Sequence, residues 1–160
     1  MSQTADARGE GARYRDGIAR LPRSALPPSG IYHVTARGVA LCTIFHDDSD
    51  RRRFLVRLRR IAGELRWTCF LYCLMTTHYH LLVGSDLDEL SKGMQRLQGP
   101  YAQQFNVRYG RVGHLFQERF HTKVIRNELH FARAFEYIEN NPVAAGMCAT
   151  AGDWPWGGRL

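Results

Sequence analysis

The fold is decided by residues 68–84, TCFLYCLMTTHYHLLVG, in which two apolar runs flank a pair of threonines. Two strand-forming runs joined by a two-residue connection predict a β-hairpin. Side chains alternate across a strand, so His78 and His80 should lie on one face of the sheet and Tyr79 on the other. Tyr79 is then available for the core, and the two histidines are not.

The segments on either side of the hairpin carry the signals of two further strands and three helices. Apolar and polar residues alternate at 31–37, whereas Phe54, Leu58 and Ile61 recur at helical spacing within 47–67. The predicted elements, in order, are strand 31–37, helix 47–67, strands 68–75 and 78–84, helix 85–110, strand 121–126 and helix 127–141.

Cap and turn residues set the ends of the later helices. Ser85, with Asp88 three residues on, predicts the N-cap of the second helix. Pro100, which follows Gly99, predicts a kink or a split in that helix, because proline removes a backbone hydrogen bond. Asn127 predicts the N-cap of the last helix, and Pro142 its end.

The order β-α-β-β-α-β-α predicts an α+β fold of one domain. Its first six elements follow the ferredoxin-like arrangement, with two helices on one face of an antiparallel sheet. The extra C-terminal helix is free to lie against the opposite face or against an edge of the sheet. Residues 1–28 are rich in Gly, Ala, Ser and Arg, which predicts a flexible basic arm that could follow a DNA backbone, and 29–160 form the domain.

Charge and composition point to a polyanionic partner. The chain of 160 residues has a formal net charge of +7, and 20 of its 22 basic residues are arginine. Arginine suits phosphate contacts, although a biased codon usage explains the excess equally well. No apolar run is long enough to span a membrane, and no secretory signal is recognisable, so the expected compartment is the cytoplasm.

The cysteines show no spacing typical of metal ligands and are expected to be small buried residues. Trp154 and Trp156 are expected to pack the tail against the domain rather than stack on bases. The cysteines are Cys42, Cys69, Cys73 and Cys148.

Two groups of residues carry candidate chemistry. His78 and His80 on one strand face can share a divalent ion, although a histidine pair is also common as plain surface. On the last helix, His130, Tyr137 and Asn141 fall within an arc of about 40°, beside an apolar stripe. A tyrosine there is usually packing, but together with a metal it can attack a phosphodiester. Two imidazoles and an amide oxygen leave open positions on magnesium or manganese.

Five motifs occur in an order that resembles the single-tyrosine transposases of the His-hydrophobe-His nuclease superfamily, and most of all the REP-associated tyrosine transposases. The resemblance covers about residues 25–156. The motifs are YHVTARG at 32–38, CLMTTHYHLLV at 73–83, GHLFQERF at 113–120, YIENNPVAAGM at 137–147 and DWPW at 153–156.

The resemblance implies a role for each central residue. His78 and His80 would be metal ligands, Tyr137 the nucleophile that forms a 5′-phosphotyrosine link, and Asn141 a further ligand. It also implies Mg²⁺ or Mn²⁺ as cofactor. The implied reaction is nicking and strand transfer of single-stranded DNA, in hairpins formed by repeated palindromic sequences.

Further residues are candidates for DNA contacts, although each is also compatible with a polar surface role, which is the favoured interpretation for His130. They are His33, Thr35 and Arg37 on one face of the first strand, Gln117 and Arg119 before the fourth strand, and His130 on the last helix.

Other interpretations stay open at this point. The same fold could serve as a catalytically idle, host-retained DNA-binding or regulatory protein, or as an RNA-binding domain whose sheet stacks aromatic residues on bases. Monomer and homodimer are both compatible with the sequence, since Tyr137 can serve its own sheet or that of a partner.

Overall fold

The computed structural model describes residues 25–160, so most of the predicted arm, 1–24, lies outside the described residues. The elements are β1 (Ser29–Arg37), α1 (Asp48–Glu64), β2 (Thr68–Leu74), β3 (His78–Asp86), α2 (Leu87–Tyr109), β4 (His121–Ile125), α3 (Glu128–Glu139), α4 (Asn141–Ala144) and β5 (Gly157–Gly158). Short 3-10 turns lie at Val39–Leu41 and Ala151–Asp153.

The sheet has the strand order β4-β1-β3-β2-β5, with every neighbouring pair antiparallel. The order of its first four strands and the two helices confirm the predicted ferredoxin-like α+β arrangement. The edge strand β5, made of Gly157 and Gly158, was not predicted. Two glycines carry no apolar period, so only their pairing with Tyr72 and Cys73 on β2 makes them a strand.

One face of the sheet, called the core face, packs against α1 and α2. It carries Tyr32, Val34, Tyr79, Leu81 and Val83, all 0% exposed. The predicted sides of the strands are confirmed, because the alternate residues of β1 and β3 point away from this core. The helices contribute Phe54, Leu58, Ile61, Leu90, Met94 and Leu97 to the same cluster.

The opposite face, called the site face, is covered in part by α3. Ala134 and Ile138 of this helix pack against Leu71, Cys73 and Leu82 of β2 and β3. The extra helix therefore packs on the face opposite α1 and α2, which is one of the positions that the sequence left open. The rest of the site face is polar, and it begins where the apolar contact with α3 ends.

Two expectations about α2 are wrong. Ser85 is not its N-cap, because β3 continues through its pairing with β1 as far as Asp86, and the Ser85 hydroxyl donates to the Asp86 carbonyl oxygen at 2.9 Å. Nor does Pro100 split the helix, which runs from Leu87 to Tyr109. Burial of Tyr101, one residue on, in the core outweighs the loss of one backbone hydrogen bond.

The cysteines follow the prediction only in part. Cys69 and Cys73 are buried, whereas Cys42 and Cys148 are only partly covered. A break in the strand register between Cys69 and Leu71 places Cys69 on the core face and Cys73 on the site face. Burial raises the pKa of both buried thiols to about 12, so they remain protonated.

The tail packs along the edge of the sheet, as expected. The Trp154 indole N–H donates to the Leu74 carbonyl oxygen at 3.2 Å, and the Leu74 N–H donates to the Trp156 carbonyl oxygen at 2.9 Å. Within residues 25–160, no helix is both long and apolar enough to cross a membrane.

Candidate active site

The strand β3 presents His78 and His80 on the site face, with their rings perpendicular and their centroids 5.1 Å apart. The Nδ1 atom of each ring already has a partner. That of His78 lies 3.2 Å from the Thr77 hydroxyl, and that of His80 lies 3.0 Å from Nε2 of His33. The Nε2 atom of each ring points away from these partners.

Asn141 completes a group with the two histidines. Its side-chain oxygen lies 3.3 Å from Nε2 of His78. The helix α3 ends at Glu139, two residues before the predicted end, and Pro142 lies in the first turn of the short helix α4, which begins at Asn141. Two ligand atoms that each lie about 2.1 Å from one octahedral ion are themselves about 3 Å apart at neighbouring positions. The observed spacing of the nitrogen and the oxygen is close to that value.

Tyr137 borders this group from α3. Its ring lies 5.6 Å from that of His80 and 6.1 Å from that of His33, and both contacts are edge-on. The next residue, Ile138, is fully buried against the sheet and fixes the rotation of the helix. Tyr137 is 39% exposed, so an incoming substrate can reach it.

Burial keeps both histidines of β3 neutral. It lowers the pKa of His80 well below the ordinary value, and the nearby His33, His78 and Arg37 lower that pKa further. Burial also lowers the pKa of His78, against the opposing effect of the contact with Asn141. Neutral imidazoles are the form that binds metal ions.

The site meets a direct test of fit for a metal. Nε2 of His80 is buried, and no atom of residues 25–160 hydrogen-bonds to it. A buried polar atom without a partner requires an explanation, and a bound ion is one. Imidazole nitrogens suit transition ions and an amide oxygen suits magnesium or manganese, so Mn²⁺ satisfies both donors. The described residues hold no group of three or more His, Cys, Asp or Glu placed for a metal, so the set of donors that fits an ion here includes the amide oxygen of Asn141.

The structure brings the candidate residues of β1 to the edge of this group. Thr35 pairs with His80 and Arg37 pairs with His78 across the two strands, so all four share the site face. Arg37 is exposed at the rim. His33, by contrast, is only 6% exposed and lies behind His80, with its Nε2 atom 3.0 Å from Nδ1 of His80.

The segment 113–120 is tied to the end of β1. The Gln117 N–H donates to the Arg37 carbonyl oxygen at 2.9 Å, and Phe116 bridges to Gly38. No side chain fits at Gly38, since its Cβ would lie 2.2 Å from the Cys42 carbonyl oxygen. Gln117 therefore lies beside the site, and the exposed Arg119 follows two residues on.

His130 is not brought to the site. Its Nδ1 accepts a hydrogen bond from the Arg126 N–H at 3.3 Å, and its own N–H donates to the side chain of the predicted N-cap, Asn127. It lies two helical turns, about 10 Å along the axis, from Tyr137. Both hydrogen bonds are part of the N-terminal cap of α3.

Sequence reasoning missed the contribution of β4 to the site face. Lys123 lies opposite His33 and His121 lies opposite Thr35, so both extend the polar row. The alternation of His121, Thr122 and Lys123 indicates a shared face, but only the strand order places that face beside β1.

Comparison with solved structures shows the fold. A structure of a REP-associated tyrosine transposase bound to a REP hairpin matches with a TM-score of 0.68 and 17% identity, over 88% of this chain and 82% of that one. A crystal structure of a candidate transposase from Deinococcus radiodurans R1 matches with a TM-score of 0.50 and 17% identity, over 77% of this chain and 97% of that one. A search of curated proteins finds no match.

A family model carries the comparison further. The model of the IS200-like transposases matches residues 29–141, from the first residue of β1 to Asn141. This span contains both histidines of the group and Tyr137. The chain therefore belongs to the IS200-like transposase family and is a DNA-binding enzyme of DNA transposition.

Proposed function

We propose that this chain cuts single-stranded DNA and joins the cut strand to a new end, with Tyr137 as nucleophile and Mg²⁺ or Mn²⁺ held by His78, His80 and Asn141. One observation carries the proposal: the buried Nε2 of His80, which has no protein partner among the described residues, belongs to the ring that Tyr137 contacts at 5.6 Å. The nucleophile and the metal-ligand donors thus converge on one spot of the site face, where Tyr137 is exposed and His80 is buried.

The covalent step balances as an in-line displacement at phosphorus. A bond forms between the Tyr137 hydroxyl oxygen and phosphorus as the bond from phosphorus to the 3′ oxygen breaks. Water takes the phenol proton and supplies one to the leaving 3′ oxygen. The products are a free 3′ hydroxyl and a 5′-phosphotyrosine, and attack by another 3′ hydroxyl reverses the step at a new end. When bound, the metal ion neutralises charge on the non-bridging oxygens.

The rim of the site supplies groups for the DNA backbone. Arg37 is exposed beside His78, and Gln117 is fixed next to it by the backbone hydrogen bond. Arginine binds phosphate oxygens through two parallel hydrogen bonds, which fixes the strand without reading its sequence. The formal charge of +7 favours the same partner.

DNA hairpins with single-stranded flanks are the proposed substrate. The family acts in DNA transposition, and the solved REP-associated transposase is bound to a REP hairpin. An RNA-binding sheet would need aromatic residues on its open face, whereas Tyr72 and Tyr79 are both buried on the core face. A repeated palindrome that folds into a hairpin is therefore our choice of probe.

The tyrosine is proposed to act within its own subunit. The helix that carries it packs against the sheet of the same chain through Ala134 and Ile138, and its ring contacts the chain's own His80. A mixture of Tyr137→Phe and His80→Ala proteins should therefore stay inactive. Recovery of activity on mixing would show that the tyrosine crosses between subunits.

Covalent capture tests the proposal. Wild type and Tyr137→Phe are incubated with labelled single-stranded DNA hairpins and Mn²⁺, then run on a denaturing gel. We expect a slow, protease-sensitive band for the wild type that disappears in the variant and with chelator. Tyr109→Phe is the control and should keep the band, because the Tyr109 hydroxyl lies away from the site, where it donates to Asp50 at 2.8 Å.

The outcomes separate the competing functions. Tight binding of the DNA hairpins without any adduct would support the idle, host-retained DNA-binding protein. Preferred binding of the matching RNA hairpin would support the RNA-binding domain. Either result would contradict the proposed reaction.

A further inference from the structure

A second histidine stands directly behind the proposed ligand His80. Nε2 of His33 lies 3.0 Å from Nδ1 of His80, and the two ring centroids are 5.2 Å apart. Both side chains are buried, at 6% and 4% exposure. This contact belongs to the interior of the site face.

A contact between two ring nitrogens restricts where the protons lie. A neutral imidazole has one N–H donor and one acceptor nitrogen, so the pair shares a single proton across the contact. With that proton on Nδ1 of His80, the Nε2 of the same ring keeps a lone pair. With the proton on Nε2 of His33, the Nε2 of His80 carries a hydrogen and cannot bind a metal ion.

The surroundings of His80 favour the first arrangement. Its Nε2 has no hydrogen-bond partner within residues 25–160, so a hydrogen there would be a buried, unsatisfied donor. Such a group costs about 1–3 kcal/mol. A lone pair at the same place is instead available to an ion.

We propose that His33 is a positioning residue, which accepts the Nδ1 proton of His80 and so keeps Nε2 of His80 as the ligand atom. The inference rests on the proposed metal site and deepens it. Partners of this kind orient metal-binding histidines and fix which nitrogen is protonated.

His33 is better suited to this role than the partner of the other histidine. His78 is contacted at Nδ1 by the hydroxyl of Thr77, which lies in the two-residue turn before β3 rather than on a strand. His33 lies on β1, which is paired on both sides, with Leu82 opposite on β3 and Lys123 opposite on β4. Its backbone is thus held in place from two directions.

The first measurement is the affinity for Mn²⁺ alone, by titration calorimetry of the metal-free protein. His33→Phe keeps a ring but has no acceptor, and we expect it to weaken Mn²⁺ binding about 10- to 100-fold. His33→Gln keeps an acceptor and should recover most of that loss. Ile31→Val, a change on the same face of β1 two residues away, is the control and should bind as the wild type does.

The second measurement needs no variant, so it holds even if His33→Phe fails to fold. Long-range ¹H–¹⁵N spectra of the metal-free wild type report which ring nitrogen of each histidine is protonated. We expect the proton of His80 on Nδ1. A proton on Nε2 would overturn the inference.

The two proposals can fail separately. Absence of Mn²⁺ binding and of a Tyr137 adduct in the wild type would overturn the proposed function, and this inference with it. Normal wild-type binding with an unchanged affinity in His33→Phe would overturn the role of His33 alone.

Discussion

The two faces of one pair of strands differ in what their side chains do. On the core face, Tyr32, Val34 and Leu81 of β1 and β3 are fully buried among apolar neighbours. On the site face, the alternate residues include His33 and His80, which are nearly as buried but polar. The first face provides stability, whereas the second holds neutral imidazoles in a dry setting beside a reachable tyrosine.

The difference depends on strand register. The pairing of β1 with β3 extends from Ser29 opposite Asp86 to Arg37 opposite His78. A slip of one residue would exchange the faces and place both histidines in the apolar core. The apolar alternation of the core face therefore also positions the site, which explains how a small sheet can carry a buried polar group without losing its fold.

The largest expected effect separates activity from stability on the site face. The double variant His33→Phe with His80→Leu should lose Mn²⁺-dependent cleavage completely, since a proposed ligand is gone. Its free energy of unfolding, measured in urea without metal, should equal or exceed that of the wild type. Replacing both partners of a buried polar pair with apolar groups is close to neutral or stabilising.

The opposite outcome of that experiment is also informative. A loss of about 2 kcal/mol or more, the size expected for a core cavity, would show that the histidine pair contributes to folding as much as the core face does. The contrast between the faces would then be wrong.

The second effect belongs to the core face. Phe54 is fully buried and contacts Tyr79 at 4.8 Å and Tyr101 at 5.1 Å between ring centroids. Phe54→Ala should lower the free energy of unfolding by about 3–5 kcal/mol. The folded fraction should still form the tyrosine adduct. Val56→Ala, two residues on and 65% exposed, is the control and should change stability by less than about 0.5 kcal/mol.

The sequence predicts these faces because both rest on local periodicity. The spacing of His78, Tyr79 and His80 determines which side each takes. The position of Tyr137 beside the apolar stripe of α3 follows from helical geometry, whereas Asn141 lies beyond α3, at the start of α4. The cap at Asn127 is equally local. Each of these needs only a few neighbouring residues, so no long-range information is required.

What the sequence did not predict depends on pairing between distant segments. The contact of His33 with His80 joins residues 47 positions apart. The position of Lys123 on the site face depends on the pairing of β4 with β1. The strand β5 forms only because β2 offers an edge with which it can pair. The continuity of α2 through Pro100 reflects tertiary packing that overrides a local rule.

A third prediction tests whether the faces are independent. The Gln98 side-chain N–H donates to the Tyr79 hydroxyl at 2.9 Å, and both groups are buried on the core face. Tyr79→Phe leaves that donor without a partner and should cost about 1–3 kcal/mol in urea unfolding. Adding Gln98→Leu should restore most of the loss, and cleavage should not change. A fall in cleavage would show that the backbone between the two histidines transmits the change.

The smallest expected effect concerns the ion pair that joins the two helices of the core face. Arg108 at the end of α2 donates to Asp47, the N-cap of α1, at 2.6 Å. This hydrogen bond, followed by the one from the Asp50 N–H, lowers the pKa of Asp47 to about 2. In an unfolded chain the pKa of an aspartate is about 3.9, so the unfolded state takes up this proton at a higher pH than the folded state does. The contribution of the Asp47 charge to the free energy of unfolding is therefore present above about pH 4 and is lost as the pH falls towards about 2.

Asp47→Asn isolates this contribution, because asparagine caps a helix as well as aspartate does but carries no charge. The stability difference between wild type and Asp47→Asn, followed by urea unfolding, should shrink as the pH is lowered from about 5 to about 2. Glu139→Gln, an exposed change at the end of α3, should show no such convergence. If the difference for Asp47→Asn does not depend on pH, the ion pair between Asp47 and Arg108 adds nothing to the stability of the fold.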